Sequence, residues 1–249
     1  MTKESFVKLS IWLVLVCFQR VYAQQNLFNI PAGEITPEGK GFFQHQTNIY
    51  SLQELESKNH FVYGLGKGWE GGVNVINLKM NLNGQSAFLT VNDEGLGTPM
   101  KPLLLFTTQK MFRLGKKWKT SIGTQAGFNL TGNQGYTQLT HFTYNLWVYE
   151  PTKGLRLLAG PYITDHRFVG RNNRVGLQAG FEARVSEKLM LMGDIISGGN
   201  ATGVSVLGIN YSLTKRLQLC LGSLIPNPGS ENRAGLVLEV NLLGFDPVH

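Results

Sequence analysis

Residues 174–185, RVGLQAGFEARV, read as two interleaved sequences. Val175, Leu177, Ala179, Phe181, Ala183 and Val185 are apolar, whereas Arg174, Gly176, Gln178, Gly180, Glu182 and Arg184 are polar or tiny. A period of two places these sets on opposite faces of a β-strand. The pattern recurs in WKTSIGTQAGFNL (118–130), RLQLCLG (216–222) and NRAGLVLEVNLL (232–243). Strands are predicted near 41–51, 60–66, 69–79, 102–112, 118–130, 137–149, 155–164, 174–185, 188–197, 203–213, 216–225 and 232–243. WEGGVNVINLK slips in phase at Val75–Ile76, which predicts a bulge. About twelve strands with no amphipathic helix between them make an all-β chain. An even count suits a closed antiparallel barrel.

Alternation alone does not say which face looks inward, because a soluble lipocalin-like barrel or a sandwich alternates too. Three features favour an apolar face turned outward to lipid. The polar face is rich in Gly, Gln and Asn, where a solvent-facing surface would carry many lysines and glutamates. Trp69, Trp118 and Trp147 each stand near a predicted short turn, the position of an interfacial aromatic girdle. Lys67, Lys116, Lys117, Lys153, Lys188 and Lys215 fall in those turns and leave most of the apolar face uncharged. The expected fold is a closed transmembrane β-barrel with short periplasmic turns and longer extracellular loops.

The N-terminus agrees with export. Lysines in MTKESFVK, the apolar run LSIWLVLVCF and a small-residue site at VYA form a secretory signal pattern. The run is shorter than the roughly 20 residues of a membrane-spanning helix. Cleavage is expected after Ala23, which lowers the net charge from +7 to +5 by removing three basic residues and one acidic residue. The expected organisation is a signal at 1–23, a periplasmic lead-in at 24–40 and an outer-membrane barrel at 41–249. Outer-membrane lipids, lipopolysaccharide and the barrel-assembly machinery are the expected partners. Cys17 leaves with the signal, so Cys220 has no disulfide partner and is expected to be a buried passenger. The basic residues are dispersed, without a basic helix or aromatic–basic motif, and nucleic acid is not an expected partner.

The hairpin YGLGKGWEGGVNV (63–75) resembles hairpins of uncharacterised bacterial outer-membrane barrels. These include a transporter-like group linked to phenol degradation and similar Bacteroidetes proteins. The resemblance implies the barrel architecture across most of 41–243 and carries no functional residue with it. Such barrels often finish on an aromatic residue, whereas here Phe245 is followed by DPVH.

Enzyme signatures are missing: there is no HExxH, CxxC, GxSxG or P-loop. GLGKG (64–68) lies between strands and reads as a hairpin turn. The five histidines show no metal-ligand spacing, and neither a metal nor a cofactor is expected. His141, Thr143 and Asn145 share a strand face and resemble the His-x-Ser plus Asn arrangement of outer-membrane phospholipases. A polar lumen row is the simpler reading of the three. Glu70, Lys119, Glu182, Arg184, Arg216 and Glu239 are expected to form a lumen charge network that narrows a channel or braces the wall. Arg167, Arg171 and Arg174 in DHRFVGRNNR are expected on an outer loop that attracts anions. Two functions remain: a narrow channel or transporter for a small solute, and a non-conducting surface, structural or adhesive barrel. A lipid hydrolase stands behind both.

Overall fold

The structure, a computed structural model, describes residues 26–84, 87–95, 97–131 and 138–245. The signal with its cleavage point, Cys17, most of loop 131–136 and the tail after Phe245 lie outside the described residues. Twelve strands follow one another: β1 (Gly41–Ser51), β2 (Glu54–Gly66), β3 (Trp69–Asn81), β4 (Leu103–Arg113), β5 (Trp118–Asn129) and β6 (Leu139–Thr152). The second half is β7 (Leu155–Thr164), β8 (Val175–Arg184), β9 (Leu189–Ile196), β10 (Val204–Ser212), β11 (Leu217–Pro226) and β12 (Gly235–Phe245). Each strand pairs antiparallel with its sequence neighbours, and β12 closes on β1 from Gly41↔Phe245 to Ile49↔Leu236. Closure leaves no sheet edge with unpaired backbone groups. Among the described residues no helix is long and apolar enough to cross a membrane.

The connections sort by end. Residues 67–68, 114–117, 153–154, 185–188 and 213–216 link strands at one end. At the other end, 82–102, 130–138, 165–174, 197–203 and 227–234 are longer. GLGKG is a hairpin turn: Lys67 and Gly68 carry φ of 50° and 79°, the two left-handed positions of a type I′ turn. The bulge lies one residue beyond its expected place. Ile76 and Asn77 together oppose Lys58, and Asn77 takes φ 58°.

The interleaved stretch resolves as an apolar outer face. Val175, Leu177 and Val185 are 61–64% exposed on the outside, whereas Gln178 and Glu182 are buried inside. Leu236, Leu238 and Val240 of β12, and Leu219 and Leu221 of β11, are likewise exposed. Trp69, Trp118 and Trp147 are half-exposed on this face toward the short-turn end. Trp118 stacks on Tyr149 with centroids 4.5 Å apart. Lys110 places its ammonium 5.1 Å from the Trp69 ring and donates to the Lys67 carbonyl, carrying its charge toward the turn.

Three expectations need correction. β2 begins at Glu54, so the first long-end connection is only residues 52–53. ELESKN looked like a loop because all of its residues but Leu55 are hydrophilic. In fact Glu54, Glu56 and Lys58 point into the barrel, where polar side chains are tolerated. The lead-in does not lie beside the barrel as a separate segment. Residues 26–40 run inside it, with Leu27, Phe28, Ile30 and Ala32 buried. Lastly, the inner face is not uniformly polar. Phe142, Tyr144, Leu146 and Val148 of β6 point inward, because the lead-in needs an apolar seat.

Candidate functional site

The lumen is occupied by the chain's own N-terminal segment. Glu38 bridges to Gly64 near the short-turn end, and the segment rises from there to a tight turn closed by Leu27 N–H donating to Ile30 O at 2.9 Å. Leu27, Ile30 and Ala32 join Leu105, Leu146 and Leu158 in one apolar cluster. Phe28 joins Met192, Val206 and Val237 in a second. Glycines make the room. A Cβ at Gly222 would stand 2.9 Å from Phe28 Cζ, and one at Gly180 would stand 2.6 Å from Leu27 Cδ2.

Polar contacts fix the same segment. Asn29 donates its backbone N–H to Asp194 Oδ2 at 2.6 Å, and Asn26 donates to Gln44 at 2.8 Å. Thr36 donates both its N–H (2.8 Å) and its hydroxyl (2.7 Å) to Glu70. Gln109 donates to the Glu34 carbonyl at 2.9 Å. Around Glu34 the charges converge. Its carboxylate meets Lys119 at 2.6 Å and Arg156 at 2.9 Å. Arg156 also meets Glu182 at 2.6 Å and the Ala32 carbonyl at 2.8 Å. Its Nε lies 3.3 Å from Glu150, without the alignment of a hydrogen bond, and Lys119 meets Glu150 at 2.9 Å.

Of the six residues expected to form the lumen network, the structure brings Lys119 and Glu182 into this cluster. Glu70 is spent on Thr36. Glu239 is buried near Cys220 and Gln44 and makes no ion pair among the described residues. Arg184 and Arg216 are exposed at strand ends and make no ion pair among the described residues. Arg156, Glu150, Glu34 and Asp194 were missed. Alternation puts Arg156 and Asp194 on inward positions and was enough to find them. Glu34 lies in a stretch without periodicity. Cys220 is a buried side chain that accepts from Asn241 at 3.4 Å.

The segment divides the lumen. Above it a cavity of about 250 Å³ opens toward the long-loop end, floored by Asn26, Phe28, Asn29 and Ile30. Its walls carry the amides of Asn48, Asn74 and Gln125 and the charges of Glu54, Glu56, Lys79, Lys101 and Arg233. Burial holds the Lys101 ammonium below the ordinary lysine pKa, with Glu56 opposing that shift. Below the segment a second cavity of about 200 Å³ is lined by Glu150, Arg156, Glu182 and Arg184.

The outer surface holds the candidate hydrolase residues. His141, Thr143 and Asn145 face outward and form no lumen row, since Phe142 and Tyr144 take the inward positions. Thr143 Oγ1 is 3.4 Å from His141 Nδ1 and 2.8 Å from Thr124 Oγ1. Asn145 turns away to donate to Thr120 Oγ1 and Ser121 O, both at 3.0 Å. The histidine therefore lacks the orienting partner that a triad requires. Elsewhere on this face His45 is tied to Asn59 at 2.8 Å and to Thr47 at 3.1 Å.

The three loop arginines do not converge. Residues 166–169 form one helical turn capped by Asp165, which accepts from Arg167 N–H at 2.8 Å. Arg167 donates to Gln138 at 2.8 Å. The Arg171 guanidinium lies against Gly97, and Arg174 is exposed where its carbonyl accepts from Thr164 N–H. The described residues hold no group of three His, Cys, Asp or Glu arranged to bind a metal.

No protein-family model matches this chain, and no curated protein matches it.

Proposed function

We propose that the protein is an exported outer-membrane β-barrel that receives a small polar solute from outside, and that residues 27–34 close its lumen at rest. The long loops then face the exterior and the short turns the periplasm. The single observation that carries this reading is the division of the lumen by the N-terminal segment into an outward-opening cavity and a lower one. The membrane placement rests on the apolar outer face, the tryptophans near one end, and the polar outer groups. The outer Thr124, Thr143, Asn145 and His45 bond to neighbouring side chains or to backbone, as groups facing hydrocarbon must. In this reading the charge cluster does not narrow the pore by itself. It anchors the segment that does.

A non-conducting barrel is the second reading, and the apolar packing of Leu27, Ile30 and Ala32 favours it. Membrane fractionation with vesicle flotation tests the placement, and liposome swelling tests passage. The expected outcome is flotation with lipid and slow swelling in a disaccharide. Recovery as a soluble monomer contradicts the placement, and fast unselective swelling contradicts the closed lumen.

A further inference from the structure

The upper cavity distributes its charges unevenly. Glu54 is fully engaged, meeting Lys79 at 2.7 Å and Arg233 at 2.6 Å. Lys58 is turned down to the floor, where it donates to Asn29 Oδ1 at 3.3 Å. Glu70 belongs to Thr36. Two half-buried groups of opposite sign remain on the wall, Glu56 and Lys101. Among the described residues neither side chain has a hydrogen bond or ion pair, although the two charges interact electrostatically. Glu231 adds an exposed carboxylate at the rim. An ammonium and a carboxylate that line one cavity without touching are each left to find a partner, since unpaired burial is costly.

Below them the walls are amide rather than aromatic. Asn74 donates to Gln125 at 2.8 Å and Asn48 to Tyr50 at 3.4 Å, and since each amide has two donors and two acceptor sites, part of this capacity is left for a ligand. The aromatic rings that border the cavity are already committed. Phe142 is stacked on Tyr162 with centroids 5.0 Å apart and packs on Phe168 at 5.3 Å. Tyr144 donates to Gln109 at 2.5 Å, and Arg233 lies 5.4 Å over the Tyr50 ring. Each of these rings already has a partner among the described residues. At ~30 Å³ per water, the cavity of about 250 Å³ holds on the order of eight waters, the room of a small solute.

From this geometry we infer that the upper cavity binds a zwitterion, a free amino acid or a short peptide, with its ammonium on Glu56, its carboxylate on Lys101 and its amides on the Asn/Gln wall. The inference rests on the solute-binding reading above and sharpens it to one ligand class. Charge-assisted hydrogen bonds at both ends would then fix the ligand's orientation.

Calorimetric titration of the refolded full-length barrel in detergent tests this, with Ala-Ala, N-acetyl-Ala-Ala, Ala-Ala amide and sucrose as probes. Ala-Ala is expected to bind, and each capped form to bind about tenfold or more weaker. Glu56→Gln should abolish the penalty for N-acetylation and keep the penalty for amidation, and Lys101→Met should do the reverse. Heat-modifiable gel migration verifies that each variant is folded. Equal binding of free and capped peptides, or penalties that survive in the variants, overturns the inference. Binding of sucrose but not Ala-Ala overturns it while leaving the solute-binding reading intact. If none of the four probes binds to a barrel that floats with lipid, both fall and the membrane placement alone survives.

Discussion

Arg156 and Glu34 meet at 2.9 Å inside the barrel although 122 positions separate them in sequence. The pair ties the N-terminal segment to the wall, while Glu182 on the other side of the guanidinium ties the wall to itself. The two carboxylates therefore have different jobs. Arg156→Met leaves Glu182 buried without its cation and should cost about 3–5 kcal/mol of barrel stability. Glu34→Gln leaves Glu150 and Glu182 facing Lys119 and Arg156, a balanced set. Its barrel should melt close to the wild type, while the amides of residues 30–36 exchange faster. Gel-shift melts with hydrogen-exchange mass spectrometry check both, and equal effects of the two substitutions would contradict the division.

Phe28 is the segment's largest apolar anchor. Truncation to alanine should lower the local stability of the turn by about 3–5 kcal/mol, the usual range for a buried Phe. Gly222→Val approaches the same contact from the wall. The nearest atoms to a Cβ there belong to side chains, Val206 Cγ1 at 2.8 Å and the Phe28 ring at 2.9 Å. Both variants should raise exchange at residues 27–30 and spare the β10–β11 ladder. Loss of protection in the ladder would show that the glycine serves strand pairing instead.

Leu207 is 52% exposed near the middle of β10, paired across to Gly193 and Ser223. On the proposed membrane placement, Leu207→Arg should cost about 2–4 kcal/mol in folding titrations into vesicles. Leu52→Arg, at the tip of the first connection, should cost almost nothing. A soluble barrel predicts a change within roughly 0.5 kcal/mol at both sites.

The signal pattern predicts a mature N-terminus at Gln24, which intact-mass measurement reads directly. A mass that includes residues 1–23 would contradict cleavage.

Much of the wall was legible in the sequence. Alternation separated Val175 and Leu177 from Gln178 and Glu182, because a strand has only two faces, and the glycine-rich polar set, the tryptophans and the turn lysines chose which face looked outward. Lys67–Gly68 was legible as a turn because only certain residues tolerate two successive left-handed positions. β6 was misread because both of its faces carry hydrophobic and polar residues. Which one turned inward depended on Leu27 and Ile30, more than a hundred residues away, and period-two patterning holds no information about so distant a seat. For the same reason Glu34 was invisible: its segment has no regular structure of its own and is shaped by what surrounds it. Arg184 and Arg216 stand next to turns, where a side chain escapes to solvent instead of pairing in the lumen.

Planar-bilayer recording of the wild type beside a Leu27→Ser, Ile30→Ser double variant tests the closed-lumen account most directly. Both side chains are fully buried and hold the segment across the lumen. The account predicts a wild type with no steady conductance and a double variant with discrete, small channel openings. Steady conductance in the wild type would contradict it, as would a silent double variant whose residues 27–34 have demonstrably lost their exchange protection.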